Sequence, residues 1–106
     1  MTVFISIDPG NKKCGLLLAD MKSGNVIEAG IASLSKFSDI VYLWSEEYDI
    51  CKILVGDGTN CKYIENVLKQ KNILNLIYVN EKGSTLRARF RYWQIWAPNL
   101  FIRWLP

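Results

Sequence analysis

The sequence predicts an α/β fold: a mixed five-stranded sheet, with strands 1–3 in an antiparallel meander, strands 4 and 5 parallel to the first, and flanking helices. Three observations predict it. Five short apolar runs occur, four of them closed by Gly, Pro, Asn or Asp. The first three runs are joined by turns too short to hold a helix. The fourth and fifth are each preceded by a segment with helical periodicity, which makes them parallel to the first strand by the handedness of such crossovers. At 106 residues, the chain is of a length for one domain and one core.

The elements justify themselves in order. Val3, Ile5 and Ile7 alternate with Phe4 and Ser6, and Asp8-Pro9-Gly10 closes the run, so the first strand ends in a tight turn. Gly15-Leu16-Leu17-Leu18-Ala19-Asp20 is the second strand. Met21–Asn25 is a hairpin turn, with Gly24 and Asn25 suited to positive φ. Val26–Ala32 is the third strand. Ser35 or Ser38 is placed to cap a helix whose apolar face carries Phe37, Ile40, Val41, Trp44 and Tyr48. Cys51–Gly56 is the fourth strand, expected to be central. Thr59 or Asn60 caps a second helix over residues 61–71, with Tyr63, Ile64, Val67 and Leu68 inward. Leu76–Val79 is the fifth strand. A last helix follows a cap at Ser84 or Thr85, with Leu86, Phe90 and Trp93 along one face and Arg87 and Arg91 at i, i+4 on another.

Half the residues are hydrophobic and 22% are charged, a composition that folds. No run of about 18 apolar residues occurs, and no basic segment precedes the first apolar run; a cytoplasmic location, away from membranes, is expected. Cys14, Cys51 and Cys61 form no CxxC pair and there is no His, which excludes the usual zinc sites, disulfide frameworks and His-dependent triads. Chemistry here rests on carboxylates, lysines, hydroxyls or thiols.

With strands 1, 4 and 5 parallel, their C-terminal ends share one edge, where open α/β sheets bind ligands. Asp8, Asp57 and Glu81 are the acids at these three ends, each just before a turn that contains Gly. Three carboxylates at one edge repel unless a divalent cation neutralises them. Each acid also fits ordinary turn chemistry, accepting bonds from its own backbone. Residues 1–82 carry nine Lys against ten acids, whereas residues 83–106 carry Arg87, Arg89, Arg91 and Arg103 and no acid. Trp93, Trp96 and Trp104 lie among these arginines, a mixture suited to phosphates and stacked bases as well as to a solvated face over a core.

Three segments resemble one family in order. Ile7-Asp8-Pro9-Gly10-Asn11-Lys12-Lys13-Cys14-Gly15 is similar to the first-strand signature of the RNase H-like resolvases, the RuvC and YqgF group. Val55-Gly56-Asp57-Gly58-Thr59 resembles the fourth-strand turn of the YqgF-like branch, and Asn80-Glu81-Lys82-Gly83-Ser84-Thr85-Leu86-Arg87-Ala88-Arg89 with Tyr92-Trp93 resembles its acidic motif and basic helix. The resemblance implies a single RNase H-like domain over 1–106 and a nuclease dependent on Mg²⁺ or Mn²⁺. Its substrate would be structured nucleic acid, either a Holliday junction or a ribosomal RNA precursor. Asp8, Glu81 and Asp57 would be its catalytic and metal-holding residues. Lys12, Lys13, Arg87, Arg89 and Arg91 would bind nucleic acid, and Gly10, Gly56, Gly58 and Thr59 would form a loop against phosphate. The family continues into a further helix carrying one or two metal-binding Asp residues, which this sequence lacks. It reads as C-terminally truncated or naturally short, and a homodimer through the aromatic C-terminal segment is expected. Two other functions remain open: an inactive nucleic-acid-binding or interaction module of the same fold, and a phosphate-binding ATPase-like domain of the actin and hexokinase group, which shares the core.

Overall fold

β1 (Thr2–Pro9) is the strand on which the sheet is built. In the computed structural model, which describes residues 2–56, 60–73 and 76–79, it pairs antiparallel with β2 (Lys13–Asp20) on one side. On the other side it pairs parallel with β4 (Asp49–Gly56). β3 (Val26–Ser33) pairs antiparallel with β2, and the short β5 (Leu76–Val79) pairs parallel with β4. The order is β3-β2-β1-β4-β5. The expected α/β class and mixed sheet are therefore observed. β4 lies inside the sheet with a partner on each side, as expected of a central strand, while β1 is the middle one of the five. The buried residues of β4, Ile53, Val55 and Gly56, fall in its second half.

Alternation sorts the side chains to two faces. Val3, Ile5 and Ile7 of β1, Leu16 and Leu18 of β2, and Ile53 and Val55 of β4 share one face. Onto it pack Phe37, Val41 and Trp44 of α1 (Phe37–Glu47) and Ile64 and Leu68 of α2 (Cys61–Gln70). Each such side chain withdrawn from water contributes about 1.5–3 kcal/mol. On the other face Phe4, Leu17, Ala19 and Ala29 form a smaller cluster, with Val26, Ile31 and Leu54 against it. Neither described helix contributes to that cluster.

The ends of the elements depart from the expected caps. α1 begins after Lys36, with no side-chain cap; Ser35 instead pairs its hydroxyl with that of Ser33, 3.1 Å away, and Ser38 lies buried within the first turn. α2 ends in a Schellman turn: Asn72 has φ +60, its N–H bonds the Lys69 carbonyl, and the Ile73 N–H bonds the Leu68 carbonyl at 2.9 Å. This drops Ile73 onto the core. Tyr63, expected inward, is exposed and only brushes the Leu34 carbonyl at 3.4 Å. Gly24 takes the positive φ of the β2–β3 turn, at +77, and Asn25 does not. Asp20 ties that turn by accepting from the Lys22 N–H at 2.9 Å and the Ser23 hydroxyl at 3.2 Å. The Lys22 N–H above all holds the Asp20 carboxyl below its usual range. Trp44 Nε1 donates to Glu28 Oε2 at 2.8 Å, fastening α1 to β3.

Ile5 is fully buried whereas Leu43 is 61% exposed. Urea unfolding should find Ile5→Ala destabilised by about 2–5 kcal/mol and Leu43→Ala within about 0.5 kcal/mol of the parent.

Candidate functional site

The parallel pairing of β1, β4 and β5 turns their C-terminal ends to one edge. Asp8 stands there, one residue from the end of β1. It follows Phe4 and Ser6 in alternation, so its side chain belongs to the face opposite α1 and α2. Its partner across the β1–β2 ladder is Gly15. On the other side Ile7 pairs with Val55, and continuing that register sets Gly56 beside Asp8. Both cross-strand neighbours of the carboxylate thus lack side chains, which leaves room against it.

The Asp8 Oδ1 atom is buried and has no hydrogen-bond partner among the described residues. The turn backbone does not supply one, so the reading of Asp8 as a simple turn acceptor is not what the fold shows for this oxygen. Leaving a buried polar atom unsatisfied costs about 1–3 kcal/mol, more when it is charged. Such an oxygen is a hard donor open to a cation or to a hydrogen-bond donor from a ligand.

The turn after Asp8 is held tightly. A Cβ on Gly10 would stand 2.5 Å from the Lys13 carbonyl oxygen, so a side chain there has no space. The Leu34 N–H bonds the Lys12 carbonyl at 3.1 Å from the β3 side. From the α2 side, Asn60 Nδ2 donates to the Gly10 carbonyl at 2.6 Å and, more weakly, to the Asn11 carbonyl at 3.3 Å. Asn60 is the residue before α2, but its side chain does not cap that helix. The sequence flagged Asn60 as a cap and missed this role, because a bond across 50 positions leaves no local pattern. Lys12 and Lys13 are exposed beside the same turn. Cys14 is buried across the ladder from Pro9. Burial, aided by the Asp8 carboxylate, pushes its thiol up to about 12.

Of the other residues singled out by the sequence, Gly56 closes β4. Asp57, Gly58, Thr59, Glu81, Arg87, Arg89 and Arg91 lie outside the described residues, as do the last helix and the aromatic C-terminal segment. In the sequence Asp57 directly follows Gly56, the last residue of β4, and Glu81 comes two residues after Val79, the last of β5. Among the described residues no three His, Cys, Asp or Glu side chains gather as a metal site, and no helix is long and apolar enough to cross a membrane. An open groove of about 550 Å³ lies at the other end of β4, between Tyr42, Tyr48, Asp49, Ile50 and Lys71; it holds none of the candidate site residues named from the sequence.

No protein-family model and no curated protein sequence matches the chain. Among solved structures it is similar to Archaeoglobus fulgidus Pelota, with 13% identity and a TM-score of 0.54 over 88% of this chain and 31% of that one. It is also matched with the Aquifex aeolicus Ppx/GppA phosphatase, with 14% identity and a TM-score of 0.49 over 78% of this chain and 37% of that one. The chain therefore spans about a third of the length of each. At these identities the Pelota likeness speaks to the fold alone.

Two outcomes follow from this geometry. Gly10→Ala should displace the turn, lowering stability by about 1–3 kcal/mol in urea unfolding. A thiol raised in the folded state stabilises the fold fully below its unfolded value near 9.0, and that contribution is lost as pH climbs towards about 12. Stability of the parent should therefore fall with rising pH above about 9, and Cys14→Ala should fall less steeply in the same measurement.

Proposed function

We propose that this chain is a single RNase H-like domain of the resolvase type, of the RuvC and YqgF group, that hydrolyses phosphodiesters in structured nucleic acid with the help of Mg²⁺ or Mn²⁺. The observation that carries the reading is the Oδ1 of Asp8, buried without a partner among the described residues at the C-terminal end of β1, between Gly15 and Gly56. That oxygen fits a hard divalent cation by its chemistry. In this reading Asp8 is the first ligand, and Glu81 and Asp57, which continue β5 and β4 in the chain, supply the others. Bound divalent ions in such a set activate a water and stabilise charge on the phosphate and leaving oxygen.

The chain's own residues do the remaining work. Lys12 and Lys13 attract the phosphate backbone beside the turn. Arg87, Arg89 and Arg91 extend that attraction through the one segment of the sequence that has no acid to oppose it. Gly10, Gly56, Gly58 and Thr59 let backbone approach phosphate without interference from bulky side chains. Four-way DNA junctions and ribosomal RNA precursors are both substrates of this chemistry. A second reading is favoured by a specific feature: residues 83–106 carry four arginines and no acid, a composition suited to gripping a polyanion whatever the carboxylates do. The same fold then grips nucleic acid without cutting it.

A labelled panel of four-way DNA junction, duplex DNA and structured RNA in Mn²⁺ or Mg²⁺ separates the two. The nuclease reading expects cutting that Asp8→Asn and Glu81→Gln each reduce by about 10³-fold or more, with binding retained. Tight binding without cutting in the parent replaces it with the binding module. In either case the logarithm of affinity should fall against the logarithm of salt with a slope of roughly −3 to −4, if about four phosphates are neutralised; a flat dependence removes nucleic acid as the partner.

A further inference from the structure

We infer that Asn60 is a positioning residue of the Asp8 edge: its carboxamide locks the turn that follows β1 to the head of α2 and so fixes the carboxylate relative to that helix. The inference rests on the metal-dependent reading above for what Asp8 does, but the lock itself stands on separate observations.

An Asn directly before a helix ordinarily turns its side-chain oxygen onto the first free N–H groups. Asn60 does not. Its Nδ2 instead donates to two successive carbonyls of the turn, at 2.6 Å on Gly10 and 3.3 Å on Asn11. These are acceptors only, so the lock needs a donor at position 60. The turn packs tightly on itself, because a Cβ at Gly10 would have no space against the Lys13 carbonyl. Its far side is pinned by the Leu34 N–H on the Lys12 carbonyl. α2, in turn, is seated by Ile64 and Leu68, both fully buried in the core. Asn60 therefore transmits the rigidity of the core to a turn that begins one residue after the carboxylate.

Asn60→Asp isolates this role. It keeps the shape of the side chain and the preference for a helix start, so α2 still forms, but it replaces the donor with a carboxylate that repels the two carbonyls. Asn60→Ala removes both properties. Two measurements on the full chain decide the matter: Mn²⁺ binding by calorimetry, and the amide resonances of Gly10–Lys13 in a ¹⁵N-labelled sample, with urea unfolding as the stability control. The expected result is a dissociation constant for Mn²⁺ raised about tenfold or more in Asn60→Asp, as for residues that orient a ligand. The resonances of the turn should be displaced, and the urea midpoint should change less than in Leu68→Ala. Turn resonances that match the parent overturn the inference. Displaced resonances with unchanged Mn²⁺ affinity overturn the positioning role and leave a purely structural bond. If the parent binds no Mn²⁺, the metal reading falls by itself, and the turn resonances still decide whether Asn60 holds the turn. Should Asn60→Ala unfold, Asn60→Asp carries the test.

Discussion

Every other part of the molecule takes its place from the double ladder of β1. One strand satisfies β2 in antiparallel register and β4 in parallel register at once, so its backbone groups are used on both sides and its position has no slack. A slip of one residue in either ladder would exchange Val3, Ile5 and Ile7 for Phe4, Ser6 and Asp8 and drive a carboxylate into the main core. The cost of burying that charge fixes the register more firmly than any one apolar contact. The constraint that builds the core is thus the same one that delivers Asp8 to the opposite face at the end of the strand.

Rigidity at that end comes from unlike sources that agree. The Asp8-Pro9-Gly10 turn has no room for a side chain at Gly10. β3 reaches the turn through Leu34, and α2 reaches it through Asn60. Around the carboxylate itself the sheet is open, since Gly15 lies across one ladder and Gly56 follows Val55 along the other. A stiff surround with a bare centre is an arrangement that stability alone does not require: larger residues at 15 and 56 would bury more area. A buried oxygen with no partner among the described residues is costly to the fold, and features of that kind concentrate where ligands bind.

Much of this was legible in the sequence because it is local. Strand ends were marked by Asp, Pro and Gly. The alternation of Val3, Ile5 and Ile7 and the helical spacing of Phe37, Val41 and Trp44 each matched the face that is buried. The parallel sense of β4 and β5 followed from the helices before them. What failed was decided by tertiary contact. Ser35 and Ser38 are good caps in isolation, yet Ser33 and the interior took them, and the helix starts after Lys36. Tyr63 sits at a spacing that suits the inner face, but Ile64 and Leu68 already fill the seat on the core. β4 looks central from its apolar run and is indeed paired on both sides, but the middle place of the five goes to β1, which pairing and not local sequence decides. Asn60 had two outlets for its side chain, and only the distance to the Gly10 carbonyl in the folded chain chooses between them. Of the acids at the predicted edge, Asp8 alone is among the described residues.

The charge distribution ties the site to its proposed partner. Residues 1–82 are nearly balanced, with nine Lys and ten acids, so they have little long-range attraction for a polyanion. An acid cluster at the edge would in fact repel phosphate. Two features offset that repulsion: a cation at the carboxylates, and the four arginines of residues 83–106 with no acid among them. Binding of nucleic acid and binding of metal are therefore linked in this reading. A divalent ion that neutralises Asp8 and its neighbours raises affinity for phosphate, and by reciprocity bound phosphate raises affinity for the ion. The coupling is electrostatic, so it weakens as salt rises. It also distinguishes the two functional readings in kind, since a chain that only grips nucleic acid needs its arginines and has no use for a bare carboxylate at the end of β1.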